Sequence, residues 1–306
     1  MEQQISEEFD KKAKITRFAT GFVISLVALF CFLAGGIPLF CFLMVTLFLA
    51  TREYVHILRN KGFHPSLSLI CATSFVFGLL IFFRRFDLVP CVLAFAIMAS
   101  FLVVLFMGRQ PYIANVATTA LGFMYGGWLP CHILLLRQMG STSVNFFVPG
   151  LNDGLYYLLY VFLTVVATDI GAYYFGSKFG KYKLSKVISP KKTIEGAVYG
   201  GLFAILVAGL GVFYTKLTLI EALFGGLLIT IFAQLGDLSE SLIKRDAGVK
   251  DSSNMLPGHG GLLDRTDSYV FALPVAYYYL VCFTCGNNIF LDLVTYLQSV
   301  YNGYFG

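Results

Sequence analysis

The sequence predicts an all-α, polytopic integral membrane bundle of about nine transmembrane helices, and three observations predict it. Of 306 residues, 58% are hydrophobic and only 13% charged, about half the charge of an average soluble domain. The apolar residues fall in runs near the roughly 20 residues that a helix needs to cross about 30 Å of hydrocarbon. The basic residues alternate with those runs in a way that fits one topology. This composition excludes a disordered chain, a secreted disulfide scaffold and an ordinary soluble enzyme.

Taken in order, the chain is polar up to Arg17 and then apolar over 18–35. That run is longer than a secretory h-region and lacks a small-residue cleavage site, so it reads as a retained first span. The second run, 37–51, is short and is expected to continue past Arg52, whose long side chain can reach the interface. Further spans are expected at 66–83, 88–107, 114–136, 154–176, 196–214, 218–238 and 268–286. The stretch after Asn287 is too short and interrupted to span. Gly122 with Gly126, and Gly196 with Gly200, have the small-residue spacing of close helix packing.

With the N-terminus in the cytoplasm, all but Arg84, Arg85, Arg137 and Lys216 of the 22 lysines and arginines fall on the inner side. One span more or fewer would spoil that asymmetry. The net charge of +5 therefore sets topology and does not point to nucleic acid. The seven cysteines all lie in apolar stretches and read as small buried hydrophobes. Cys282 and Cys285 form a lone CxxC that nothing nearby completes as a zinc site. Residues 1–110 form an N-terminal set of four spans. Residues 111–306 form a catalytic region with two long cytoplasmic loops, 177–195 and 239–267, where function should be sought.

The second loop holds the densest chemistry. Asp237, Glu240, Ser241 and Lys244 are three or four residues apart and share one helical face. Asp264 and Asp267 stand on the first turn of a helix that begins near Leu263. Carboxylates from two helices make a hard-oxygen site suited to Mg²⁺, whose other ligands are usually waters and substrate phosphates. Helix capping is the competing explanation for Asp264, whereas Asp237, at the edge of a span, is a functional candidate by default. Gly258, Gly260 and Gly261 around His259 let a backbone approach phosphate, or simply make a tight turn after Pro257. Lys244, Arg245, Lys250 and Arg265 can neutralise a triphosphate; topology or anionic lipid would also account for them. In the first loop, Asp169 sits inside a span, where a lone carboxylate costs about 2.5–3.5 kcal/mol and needs a partner or a metal. Lys191 and Lys192, with the hydroxyls of Ser189 and Thr193, follow on the same side and can face the second loop across one cavity.

Together these residues resemble the signature of the phosphatidate cytidylyltransferase (CDP-diacylglycerol synthase) family. The matching positions are Ser241, Lys244-Arg245, Lys250-Asp251, Pro257-x-His259-Gly260-Gly261 and Asp264-Arg265-x-Asp267. The first loop is similar through Asp169-x-Gly171, Gly176-x-x-x-Gly180 and Ser189-Pro-Lys191-Lys192-Thr193-x-Glu195-Gly196. The resemblance covers about residues 150–275. It implies a Mg²⁺-dependent homodimer, in a bacterial plasma membrane, that converts CTP and phosphatidate into CDP-diacylglycerol and pyrophosphate. A second, monovalent cation at the site is left open.

On that resemblance Asp237, Asp264 and Asp267 would ligate the metal, and Lys244, Arg245 and Arg265 would bind the CTP phosphates. Asp169, Ser189, Lys191, Lys192, Thr193, Glu195, Ser241, Lys250, Asp251, His259, Gly260 and Gly261 would hold the substrates. Two other readings are a CTP-dependent polyprenol or lipid kinase, which would release CDP, and a transporter of an anionic solute, which would show paired broken helices in repeated halves.

Overall fold

The computed structural model describes residues 21–140, 152–253, 255 and 260–284. His259, Pro257, Gly258, Cys285, the tail after Asn287 and the N-terminal Lys11, Lys12, Lys14 and Arg17 lie outside them. The described helices are α1 (Gly21–Ala34), α2 (Gly36–Asn60), α3 (Leu67–Phe82), α4 (Val89–Met107), α5 (Tyr112–Phe123) and α6 (Leu129–Arg137). They continue with α7 (Asp153–Phe179), α8 (Ile194–Gly209), α9 (Leu219–Asp246) and α10 (Leu263–Thr284). A π-helical turn, Met124–Trp128, joins α5 to α6 within one span.

Each expected span overlaps a helix. Among the described residues six helices are long and apolar enough to cross a membrane, while α1 and α3 are shorter apolar helices. The short second span does run past Arg52, to Asn60. Lipid is the solvent these surfaces fit. The span Phe86–Met107 has a mean hydropathy of 2.8 with only 17% of its residues buried, and Phe95, Phe101, Leu105 and Phe106 are exposed on it. Such a face would not stay monomeric in water.

The helices begin where local chemistry satisfies their free N–H groups. Asn152 caps α7 by accepting from Leu155 N at 3.0 Å. Thr193 caps α8 through Gly196 N at 3.2 Å. Thr218 and Glu221 form a reciprocal capping box on α9. Buried Arg137 donates to the carbonyls of Phe32 (2.8 Å) and Leu33 (3.3 Å) at the end of α1 and to Asn152 Oδ1 (2.7 Å) before α7. It thus ties the two halves together at one end of the bundle.

The catalytic-half helices pack through glycine. A Cβ on Gly196 would stand 2.7 Å from Ala172 O and 2.8 Å from Gly176 Cα, and one on Gly200 would overlap the Ala172 backbone. Between the two regions, a Cβ on Gly122 would press on Ile70 at 2.5 Å. Both glycine pairs therefore mark close helix contacts.

The loops are shorter than the sequence suggested. Helix α9 continues through Asp246, because no breaker occurs before Gly248 (φ +73°) and Lys244 and Arg245 in the last turn suit its C-terminal dipole. Asp237, Glu240, Ser241 and Lys244 thus share one helix, as their spacing predicts, and the irregular segment starts at Ala247.

Candidate active site

Three groups of side chains meet at the end of the bundle where α2 and α9 finish and α8 and α10 begin. The first is centred on Lys244, 9% exposed. It pairs with Glu240 one turn earlier and donates to Asp264 Oδ1 at 2.6 Å. Asp264 Oδ2 accepts from Ser252 N (3.0 Å), Ser252 Oγ (2.9 Å) and Gly261 N (2.9 Å). Burial alone would raise this carboxyl. The bonds from Lys244 and Gly261 outweigh it and hold Asp264 down at about 2. Asp264 is therefore an ionised carboxylate already surrounded by donors, and it clasps the second loop to α9.

The second group is acidic. Asp267 is 9% exposed, and its Oδ1 accepts from Ser268 N at 2.7 Å. Asp237 and Asp169 both act on it electrostatically, as does Lys192. Lys192 is ion-paired with Asp237. Ser268 Oγ reaches Asp169 Oδ1 at 3.4 Å, and Asp169 itself stands exposed on α7. Carboxylates from three helices thus share one region with a lysine from the first loop. Among the described residues no set of three or more acids, histidines or cysteines is spaced to cage an ion.

The third group is anchored by a residue that the sequence reading passed over. Glu53 of α2 is 4% exposed. Its Oε1 accepts from Ser253 Oγ (2.6 Å) and Leu262 N (3.0 Å), its Oε2 accepts from Leu263 N (2.8 Å), and Oε2 lies 3.0 Å from Ser252 Oγ, whose single proton it shares with Asp264. A carboxylate from the N-terminal half thus caps α10 and holds both serines of the second loop. Gly261 makes this possible: a Cβ there would overlap Ser252 Oγ and stand 2.5 Å from Glu53 Oε2. Its own N–H is committed to Asp264, while Gly260 takes the left-handed φ of +78° that turns the chain into the helix. The signal was present, since Glu53 stands just past an apolar run, with only Arg52 between, and the default suspicion applied to Asp237 extends to it.

The first loop is folded back on itself. Lys183 and Thr193 bridge, Leu184 N donates to Lys192 O at 2.9 Å, and Ile194 N to Tyr182 O at 2.9 Å. Glu195 accepts from Lys181 N (3.0 Å) and Tyr182 N (3.1 Å), so its carboxylate closes this loop. Ser189 O accepts from Lys192 N at 3.2 Å. The two loops meet as expected: Arg245 Nε donates to Ile188 O at 3.2 Å and Nη1 to Val249 O at 3.1 Å. Lys191, Lys250, Asp251 and Arg265 are exposed and Ser241 is half-buried.

A basic and acidic cluster at one end of a membrane bundle can bind phosphates beside lipid, and comparison with known proteins narrows which. The model of the cytidylyltransferase family matches residues 15–283. The chain belongs to the cytidylyltransferase family. Relatives include a Synechocystis protein named phosphatidate cytidylyltransferase, 37% identical over 270 residues, which are 81% of this chain and 89% of that protein. A Staphylococcus aureus protein of the same name is 51% identical over 133 residues, 42% of this chain and 51% of its own length. Phosphatidate cytidylyltransferase 4, chloroplastic, of Arabidopsis thaliana is 33% identical over 295 residues, 88% of this chain and 73% of that protein. The cytidylyltransferase match takes in α2 as well as both loops, so Glu53 and the signature residues lie in one matched region.

Proposed function

We propose that this membrane nucleotidyltransferase makes CDP-diacylglycerol and pyrophosphate from CTP and phosphatidate. The observation that carries the reading is the junction of the two loops, where Lys192 from one meets Asp237 beside Asp267 and Asp169, in a chain similar over most of its length to a phosphatidate cytidylyltransferase.

The lipid phosphate is already an anionic nucleophile, so the reaction needs no strong base. One of its oxygens attacks the α-phosphorus of CTP as the bond to the β-phosphate oxygen breaks, and pyrophosphate leaves. The barrier is mainly the approach of one anion to another. Positioning and charge neutralisation therefore supply most of the catalysis. Lys192 is placed to turn from Asp237 to a phosphate. Arg245 bridges the loops, and the exposed Arg265, Lys191 and Lys250 add positive charge around the entrance. Lys244 is spent on Glu240 and Asp264, which suits it to fixing the second loop rather than to meeting CTP directly.

Asp237 and Asp267 are the donors we assign to Mg²⁺, with Asp169 nearby. Two hard carboxylates fit an ion that takes its remaining ligands from water and substrate phosphates, and the mutual repulsion of three acids supplies the reason for a cation there. Bound, Mg²⁺ would neutralise the triphosphate and act as a Lewis acid toward the departing pyrophosphate. Asp264 is left out of this set because both its oxygens are occupied. The excess of lysine and arginine on one side supports an N-terminus and both loops in the cytoplasm, where CTP is dissolved. A homodimer in the plasma membrane is the arrangement the family resemblance favours.

The test is an assay of purified protein with phosphatidate, CTP and Mg²⁺, omitting each in turn. Pyrophosphate and CDP-diacylglycerol formed only from the complete mixture support the proposal. Release of CDP would show a lipid kinase instead.

A further inference from the structure

Tyr125 lies midway along the Tyr112–Arg137 span, outside both loops, and no role given so far uses it. It sits in the π-helical turn Met124–Trp128, where one added residue re-aims the side chains of an otherwise regular helix. Two glycines, Gly126 and Gly127, follow it. A Cβ on Gly127 would overlap Ser74 of α3, and one on Gly126 would stand 3.3 Å from Thr51 Oγ1 of α2. The backbone of the turn is thus pressed against α2 and α3, and Tyr125 projects the other way, towards α10.

Its ring meets Phe271 edge-on, with centroids 6.2 Å apart. Phe271 is one turn above Asp267 on α10. At the same level α9 touches α10: a Cβ on Gly236 would stand 2.5 Å from Asp267 O and 3.5 Å from Phe271 Cβ. The Tyr125 ring thus lies against the turn of α10 that follows Asp267, at the level where α9 packs on it. Asp267, Glu240 and Asp237 are the charged groups that act on the Tyr125 hydroxyl.

The residue is 4% exposed, yet its hydroxyl has no hydrogen-bond partner. Buried hydroxyls are nearly always bonded, and an exception calls for an explanation. Other buried tyrosines of the bundle obey the rule: Tyr54 donates to Thr118 O at 2.8 Å and Tyr160 to Ala222 O at 2.6 Å. Tyr125 is a donor kept in reserve at the acidic site.

We propose that the Tyr125 hydroxyl donates a hydrogen bond to a phosphate oxygen of bound substrate, which makes Tyr125 a substrate-binding residue supplied by the π-helical turn. This rests on the cytidylyltransferase reaction proposed above. Both substrates carry the required chemistry, a phosphate anion held beside carboxylates, and kinetics distinguishes them.

The test is Tyr125→Phe, which removes only the oxygen. Because that oxygen is unbonded without substrate, the variant should melt in detergent at the wild-type temperature. With CTP varied at saturating phosphatidate, and then the reverse, kcat/KM should fall about tenfold in at least one arm, the usual effect of losing one hydrogen bond to a charged group. A fall in one arm identifies whose phosphate is bound; a fall in both places the bond on the phosphate being transferred. If CTP is the source, the rise in melting temperature produced by CTP should shrink as well. Wild-type kcat/KM in both arms overturns the proposal, and so does a lower melting temperature without substrate, which would mean that the hydroxyl is already bonded. If the wild-type protein itself makes no CDP-diacylglycerol, the proposed function fails rather than this assignment.

Discussion

Replacing Glu53 by Gln should disable the site from a helix that carries none of the signature residues. The carboxylate accepts from Ser253 Oγ, Leu262 N and Leu263 N, and shares the single Ser252 hydroxyl proton with Asp264. Glutamine keeps one oxygen and presents an amide NH₂ where the other stood. A serine hydroxyl can rotate to accept from that NH₂, but the backbone N–H beside it cannot. One bond to a charged acceptor is lost outright, a buried N–H is orphaned, and the remaining bonds become neutral. The expected loss is about 2–3 kcal/mol. If the same interactions hold the start of α10 during reaction, kcat/KM falls about 30- to 150-fold.

The assay is CDP-diacylglycerol formation per mole of monodisperse protein in detergent, with melting followed in parallel. The melting temperature should fall together with the rate. A Glu53→Gln protein with wild-type rate and wild-type melting would refute the reasoning. One that melts lower but turns over normally would make Glu53 purely architectural.

Three further outcomes are expected. Lys192→Met strips Asp237 of its ion-pair partner and should lower kcat/KM on the order of 10²-fold, as loss of one preorganised positive donor does, with folding intact; an active variant would remove Lys192 from the site. Gly261→Ala forces a methyl group into Ser252 and Glu53 and should cost about 1–3 kcal/mol of stability, visible as a lower melting temperature and a slower rate. The Asp264 carboxyl is held at about 2, below its unfolded value of about 3.9. Its stabilisation is therefore complete above about pH 4 and lost as pH falls towards 2. Wild type should lose more stability than Asp264→Asn across that interval, and equal losses in detergent melts would contradict the ion pair with Lys244.

The spans were legible because lipid imposes a crude requirement, about 20 apolar residues in a row, and each run from 18–35 to 268–286 overlaps a helix. The glycine pairs were legible for a similar reason, since only close contact explains Gly196 with Gly200. The ends of the helices were less so. Polarity marked 239–246 as loop, but a polar segment stays helical where it leaves the membrane if nothing breaks it, and α9 does so as far as Asp246.

The acids show where one-dimensional reading stops. Asp237, Asp264 and Asp267 looked equivalent because spacing reports only a shared helix or turn. Their difference lies in partners distant in sequence: Asp264 takes Lys244 and Ser252, whereas Asp267 lies in the electrostatic field of Asp237 and Asp169.

Residue order alone was enough to set the class of protein, the approximate spans, the charge asymmetry and the neighbourhood of the chemistry, because these depend on local composition and period. Which carboxylate clasps a loop, which shares a field with other acids, that Glu53 reaches the site and that Tyr125 packs on α10 depended on helices brought together across some two hundred residues. Hydrogen bonds and ion pairs act over a few ångströms, so their partners exist only once the chain has packed.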